Sequence, residues 1–330
     1  MSSKSNVLRV LEEKKGESIS GEELAKALQI SRSAVWKAIN ELKKDGYQIT
    51  AVTNRGYCLD PSTDLLSVEG MEPYLHHPEW KSNLSVYQLL ESTNITAKKM
   101  ALDNAPHGTV VFAEEQTGGR GRMGRSFVSP KHSGIYMSLL LRPRLSAQDS
   151  LLVTTAASVA VCRAIEKVTG IQAEIKWVND IYVNQRKICG ILTEAVTDFE
   201  SGGIESIILG IGVNFSTAKE EFPEELQKKA GALFEVVPER LDRNQLAAEI
   251  VNQVLELCDD LRNRSFLEEY RSRSLVLGKN VQVVRFSQEP YPAKAVDIDG
   301  DGGLVLERED GNVEVLQSGE VSIRGLFDYE

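Results

Sequence analysis

The run Gly118-Gly119-Arg120-Gly121-Arg122-Met123-Gly124-Arg125 restricts the possible folds of this chain more than any other segment. It follows a strand-like stretch at 109–114, and Gly119-x-Gly121-x-x-Gly124 formally matches the dinucleotide fingerprint, in which a helix opens at the third glycine. Here Ser126-Phe127-Val128-Ser129-Pro130 comes next and the following element reads as a strand, which argues against a doubly wound nucleotide fold. Three guanidinium groups spaced among glycines suit a mobile anion-binding loop instead, because arginine pairs with phosphate or carboxylate through a planar fork.

Around that loop, apolar periodicity gives helical patterns at 92–103, 150–169 and 244–263. Strand-like runs lie at 85–90, 109–114, 134–141, 174–178, 187–195 and 206–213. Several of these strands succeed one another with no crossover helix between them, which predicts an α+β domain with a mixed, mostly antiparallel sheet over 64–274. A chain of 330 residues exceeds what one hydrophobic core usually serves, so a multidomain protein is expected.

Ahead of this block, Ser20 and Glu23 form an S-x-x-E capping box before the one-sided apolar pattern of Leu24, Ala27 and Leu28. Ser31 can cap a second helix that reaches about Lys44 and stops before Gly46, leaving only a tight turn between the two. A 3.6-residue period puts Ala34, Val35, Ala38, Ile39 and Leu42 on one side and Arg32, Ser33, Trp36, Lys37, Asn40 and Lys43 on the other. Runs at 47–52 and 57–59, joined through Thr53-Asn54-Arg55-Gly56, read as a hairpin. The whole resembles a winged helix-turn-helix, predicted over 1–63. In that arrangement Ser33, Lys37 and Asn40 reach base edges, Arg32, Lys43 and Arg55 hold phosphates, and Ser31 and Trp36 complete the DNA-facing set. The net charge is −10, yet the first sixty residues carry ten Lys and Arg against eight Asp and Glu, so the acidity lies elsewhere. The polar segment 60–64, with Pro61, reads as a linker.

At the other end, short runs at 280–285, 293–298, 303–307, 313–316 and 320–323 predict a small SH3-like β-barrel over 275–330. No apolar stretch approaches the roughly 18 residues of a membrane span and the start is polar, so a cytoplasmic chain with no membrane partner is expected. The four cysteines and four histidines lack ligand spacing, and no protein-built metal site is predicted.

Other segments carry chemistry. Glu91-Ser92-Thr93-Asn94 supplies two hydroxyls and an amide at a helix start. Lys176-Trp177-Val178-Asn179-Asp180 offers a cation, a ring, an amide and a carboxylate, a set suited to a base, phosphates and a metal. Arg186-Lys187-Ile188-Cys189-Gly190 opens a strand with a lysine. In the buried run 206–214, Gly210 and Gly212 leave room for a ligand against the backbone.

The order S-T-N, E-x-Q-x-x-G-R-G-R-x-G-R, K-W-x-N-D, R-K-x-x-G-I-L and G-x-G-x-N resembles the bacterial biotin–protein ligases. With the winged helix in front, the chain resembles their bifunctional form, which is also the biotin operon repressor, over nearly its whole length. That resemblance implies an ATP-dependent, AMP-forming ligase, biotin–[acetyl-CoA-carboxylase] ligase. Biotin and ATP, with Mg²⁺, give biotinyl-5'-adenylate, and the biotinyl group passes to a lysine of a biotin carboxyl carrier protein. It further implies that the adenylate is a corepressor promoting a homodimer that binds an inverted-repeat operator. By motif, Ser92, Thr93, Asn94 and Gln116 fall to the ureido ring, Arg120, Gly121 and Arg122 to the valeryl and phosphate side, and Lys187 to the attacking carboxylate. Gly190, Gly210 and Gly212 join the biotin site. Lys176, Trp177, Asn179, Asp180, Asn214 and Arg324 fall to the nucleotide, with Asp180 the candidate Mg²⁺ contact. Lys187, Arg120 and Arg122 are the candidate catalytic residues. Val178 stands where the family usually has proline, and Phe127 replaces a common tryptophan. A lipoate ligase of related architecture and a biotin-sensing transcription factor without ligase activity remain the alternatives.

Overall fold

The computed structural model describes residues 2–52, 55–142, 150–197, 204–239, 241–285 and 289–323. Its first segment forms α1 (Ser3–Glu13), β1 (Ser18–Ile19), α2 (Gly21–Leu28), α3 (Arg32–Lys44), β2 (Ile49–Val52) and β3 (Gly56–Leu59), with sheet order β1-β3-β2. The capping box is formed: Ser20 Oγ accepts from the Glu23 amide at 3.1 Å and the Glu23 carboxylate accepts from the Ser20 amide at 2.8 Å. Ser31 Oγ caps α3 through the Ala34 amide at 3.1 Å. Helix α1 and strand β1 were not anticipated. Val7, Leu8, Val10 and Leu11 form an apolar stripe that α1 buries, and with Val35, Ile39 and Leu42 of α3 they make a separate N-terminal core.

Leu65 belongs to that core, whereas Leu66, the next residue, belongs to the core of the following block. The segment predicted as a linker is pinned. Thr63 is buried, and Asp64 accepts from Arg243 Nε at 3.1 Å. Arg243 is itself fully buried and also donates to Glu114 Oε2 at 2.8 Å and to the Gly134 carbonyl at 3.0 Å. Nearby, Lys15 Nζ lies 3.2 Å from Asp242 and 3.5 Å from Glu12.

The central block is an α+β layer. Strands β4 (Leu84–Tyr87), β5 (Thr109–Ala113), β6 (Gly134–Leu141), β7 (Glu174–Lys176), β8 (Asp180–Val183), β9 (Arg186–Thr197) and β10 (Ile204–Asn214) form a sheet ordered β4-β5-β6-β10-β9-β8-β7. β4 and β5 run parallel and the other neighbours antiparallel, which gives the mixed, mostly antiparallel sheet expected. Helices α4 (Val68–Met71), α5 (Thr93–Leu102), α6 (Ser150–Thr169), α7 (Arg243–Asp259) and α8 (Phe266–Ser272) accompany it. Alternate strand residues face opposite sides: Val111 and Leu140 meet Ala97 and Ala101 of α5, while Val110, Phe112 and Leu139 join the core built with α6 and α7. Covered on both faces, all of β6 is buried, and its sequence is correspondingly apolar but for Ser138 and the Tyr136 hydroxyl.

The last block comprises β11 (Asn280–Val284), β12 (Tyr291–Ile298), β13 (Leu304–Glu307), β14 (Val313–Leu316) and β15 (Glu320–Ile323), antiparallel in the order β14-β13-β12-β11-β15. Among the described residues no β14–β15 pairing closes the expected barrel, so the SH3-like unit is an open five-stranded sheet. Its interior is continuous with the central core. Among the described residues no helix is long and apolar enough to cross a membrane.

Candidate active site

A cavity of about 490 Å³ opens beside strands β6 and β8 to β10, under the Gly-Arg loop and next to β15. Every residue expected at biotin lines it: Ser92, Thr93, Asn94, Gln116, Arg120, Gly121, Arg122, Lys187, Gly190, Gly210 and Gly212. So do Lys176, Asn179, Asp180 and Asn214 from the nucleotide set. Trp177 does not. Its ring is buried in the core, and its indole N–H donates to the Gly302 carbonyl at 3.1 Å, tying the central block to the C-terminal sheet. Arg324, like Thr53 and Asn54, lies outside the described residues.

At one end the cavity wall is a chain of hydrogen bonds. Ser92 is the N-cap residue of α5, yet its side chain makes no capping bond, so its hydroxyl is not used up by the helix. Gln116 Oε1 accepts from the Thr93 amide at 2.9 Å and lies 3.2 Å from its hydroxyl, while Gln116 Nε2 donates to Ser129 Oγ at 2.8 Å. Asn94 is 5% exposed and fixed at both ends of its amide. Gly210 and Gly212 line the cavity, but protein fills the space their side chains would take. A Cβ on Gly210 would stand 2.2 Å from Asn94 Oδ1, and one on Gly212 would stand 2.5 Å from the Phe127 ring. The close approach expected of a ligand is therefore made by Asn94 and Phe127.

The Gly-Arg loop is folded as a narrow hairpin: the Gly121 amide bonds the Arg125 carbonyl at 2.7 Å, and the Phe127 amide bonds the Gly119 carbonyl at 2.9 Å. Arg122 spans the cavity mouth, donating to Asn179 Oδ1 and to the Gly319 carbonyl, both at 3.1 Å. Arg125 reaches Glu320 at 2.7 Å, while Arg120 is exposed. The loop thus joins the central sheet to β15.

Opposite it, Lys187 Nζ lies 2.6 Å from Asp180 Oδ1, and burial pushes the nearby Lys176 ammonium below its ordinary pKa. The Lys187 backbone holds the segment beyond β10, through bonds with Lys229 O at 2.9 Å and Gly231 N at 3.0 Å. Asn214 donates to the Gly231 carbonyl at 2.9 Å, and its buried Oδ1 has no partner, an acceptor left over for a ligand donor. Tyr182, Phe222, Leu226, Lys229 and Glu320 also line the cavity and were not foreseen. They carry no local motif and arrive by tertiary packing; only the placement of Tyr182 beside Lys176-Trp177-Val178-Asn179-Asp180 offered a signal.

On the N-terminal unit, Ser31, Arg32, Ser33, Trp36, Lys37, Lys43 and Arg55 are exposed and Asn40 is half-buried, so α3 turns its expected polar face outward. Trp36 is 63% exposed, an unusual place for a large ring unless a partner covers it.

Comparison with known proteins follows this layout. Residues 86–214 match the biotin/lipoate A/B protein ligase family, residues 4–58 an HTH domain and residues 276–324 the biotin protein ligase C-terminal domain. The chain is 37% identical to the bifunctional ligase/repressor BirA of Bacillus subtilis, over 93% of its own length and 94% of that protein's. It is 27% identical to BirA of Escherichia coli, over 94% of each. Biotin protein ligase from Aquifex aeolicus in complex with biotin and ATP superposes with a TM-score of 0.62 at 29% identity, covering 73% of this chain and 98% of that one. An N-terminal helix-turn-helix, a ligase sheet and the associated C-terminal sheet stand here in the order of those relatives, and the chain belongs to the bifunctional ligase/repressor family of biotin protein ligases.

Proposed function

We propose that this chain joins biotin to ATP as biotinyl-5'-adenylate, passes the biotinyl group to a lysine of a biotin carboxyl carrier protein, and represses transcription when the adenylate is bound. The observation that carries the reading is one cavity lined at one end by Ser92, Thr93, Asn94 and Gln116 and at the other by Arg122, Lys176, Asp180 and Lys187. The first set matches the donor and acceptor edges of a ureido ring, and the second is a cationic cluster for phosphates. A sensor without ligase activity has no missing group to point to, since Lys187, Arg120 and Arg122 all line the wall.

A carboxylate attacking an α-phosphate must approach another anion while negative charge builds on the phosphoryl oxygens. Lys187 and Arg122, held by Asp180 and Asn179, are preorganised cations for that charge. The mixed anhydride formed is prone to hydrolysis, and the Gly-Arg hairpin, fastened to Gly319 and Glu320, keeps water from it. Among the described residues no three carboxylate, histidine or cysteine side chains gather around a metal. Mg²⁺ commonly takes one or two carboxylates and completes its shell with water and substrate phosphates, so Asp180 fits as its protein contact beside the nucleotide, where it neutralises phosphate charge. We take the domain boundaries near residues 63 and 274.

The test of ligation incubates the protein with biotin, ATP, Mg²⁺ and a carrier fragment and weighs the fragment by mass spectrometry. A mass gain of one biotinyl group is expected, and an unmodified fragment contradicts the reading. For the repressor half, two copies of α3 in an adenylate-dependent homodimer would read an inverted repeat. Binding to such an operator is expected to weaken with Arg55→Ala and to lose about one unit from its log–log salt slope, as one phosphate contact disappears. An unchanged slope removes Arg55 from the interface.

A further inference from the structure

The polar chain at the Ser92–Asn94 end of the cavity continues beyond the residues that line it. Ser138, fully buried at the centre of β6, lies opposite Gly210 of β10, and the missing side chain there admits Asn94. Ser138 Oγ is 2.6 Å from Asn94 Oδ1 and 2.7 Å from Thr93 Oγ1. On the far side, Asn94 Nδ2 donates to Glu194 Oε2 on β9 at 2.7 Å. Neither Ser138 nor Glu194 lines the cavity.

The direction of each bond is fixed by what each atom can do. A carboxylate only accepts, so Glu194 takes the amide N–H of Asn94 and leaves Oδ1 facing Ser138. Oδ1 also only accepts, so the single Ser138 proton goes to it. The Thr93 hydroxyl then has two neighbours, Ser138 Oγ and Gln116 Oε1, both able only to accept from it. Its proton is committed to the protein whichever it chooses, and its lone pair is what faces the cavity.

Resting on the proposed function, we propose that Glu194 and Ser138 are positioning residues that make Thr93 an obligate acceptor, and so select a substrate ring with an N–H donor at that point. The selected class is a cyclic urea with a free N–H, and a ring alkylated at that nitrogen is rejected. A buried, polarised network of this kind imposes specificity because the wrong partner leaves a desolvated lone pair unmatched.

The experiment measures binding of biotin and of its two ureido N-methyl derivatives to the full-length protein by calorimetry, with ATP affinity as the control for folding. The protein is expected to bind biotin and to bind one N-methyl derivative at least a hundredfold more weakly. Glu194→Gln, whose amide can donate as well as accept, and Ser138→Ala are each expected to raise the biotin Kd and KM about tenfold, as loss of about one hydrogen bond does. They are also expected to shrink the discrimination against that derivative, with ATP affinity and kcat at saturating biotin within about twofold. Glu194→Asp, which keeps an acceptor-only end, is expected to restore most of the discrimination. Unchanged biotin affinity and discrimination in both variants overturns the inference while leaving the ligase reading intact. Loss of ATP affinity alongside biotin affinity in both variants also overturns it, by assigning them a structural role. Failure of the unmodified protein to bind biotin overturns the ligase reading, and this inference with it.

Discussion

Lys187 Nζ and Asp180 Oδ1 stand 2.6 Å apart across the β8–β9 pair, at the point where the register shifts between Ile181 and Tyr182. The irregularity brings the first residue of one strand and the second of the next to the same wall of the cavity, so a carboxylate and a lysine, four and eleven positions beyond Lys176, share one site. Removing the ammonium leaves a negative group facing the incoming phosphates. Lys187→Gln is therefore expected to slow biotin-dependent pyrophosphate release by about 10²–10³-fold, the cost of one preorganised charge contact. A pyrophosphate assay that finds less than a threefold change removes Lys187 from the chemistry.

Among the described residues Arg243 is the largest fully buried side chain, and it holds Asp64 and Glu114 from one guanidinium. Its replacement strands the fully buried Glu114 carboxylate and frees the segment between the two cores. Arg243→Met is expected to cost about 3–5 kcal/mol, as breaking one side of a buried ion pair does. Urea unfolding followed by tryptophan fluorescence checks it, and a midpoint equal to the parent's contradicts it.

Glu12 sits in the junction between the N-terminal unit and the rest of the chain, beside Lys15 and near Asp242. Burial raises its pKa from 4.5 to about 7 against the opposing pull of Lys15, and Asp242 raises it further. The folded protein therefore binds more protons than the unfolded chain between those values, and this contribution to stability is full below pH 4.5 and is lost as the pH rises through 7. Glu12→Gln removes the dependence. Relative to the parent it is expected to be more stable by about 1–3 kcal/mol at pH 8, with the difference closing towards pH 4.5. Melting curves across that range that run parallel contradict the assignment.

Most of the fold was legible because local rules and tertiary packing agree. The capping box at Ser20, the Ser31 cap and the tight turn placed α2 and α3, and the largely apolar stretch of β6 matches a strand covered on both faces. Helix α1 escaped notice although its Val7, Leu8, Val10 and Leu11 stripe was readable, and β8 was hidden because its four residues carry no period of their own. In the site, motif residues were found because their chemistry is written in consecutive letters. What the sequence could not convey is that Gly210 makes room for Asn94, that Trp177 faces the core, or that Phe222, Leu226 and Lys229 return to the cavity from a segment pinned by the Lys187 backbone. Each depends on which faces meet in three dimensions. That the connection at 60–64 is pinned was hidden for the same reason, since the partner of Asp64 lies 179 residues away.

The central claim is that the Gly-Arg hairpin, fastened through Arg122 to Asn179 and Gly319, holds an activated biotin in the cavity. The most direct measurement incubates the protein with biotin, Mg²⁺ and ATP labelled in its α-phosphate, passes it through a desalting column and follows loss of the label with time. The parent protein is expected to carry labelled adenylate through the column only when biotin is present, and Arg122→Ala to release it at least about tenfold faster, the rate change of about 1.4 kcal/mol. Equal release from both proteins, or no biotin-dependent label on the parent, would contradict the account.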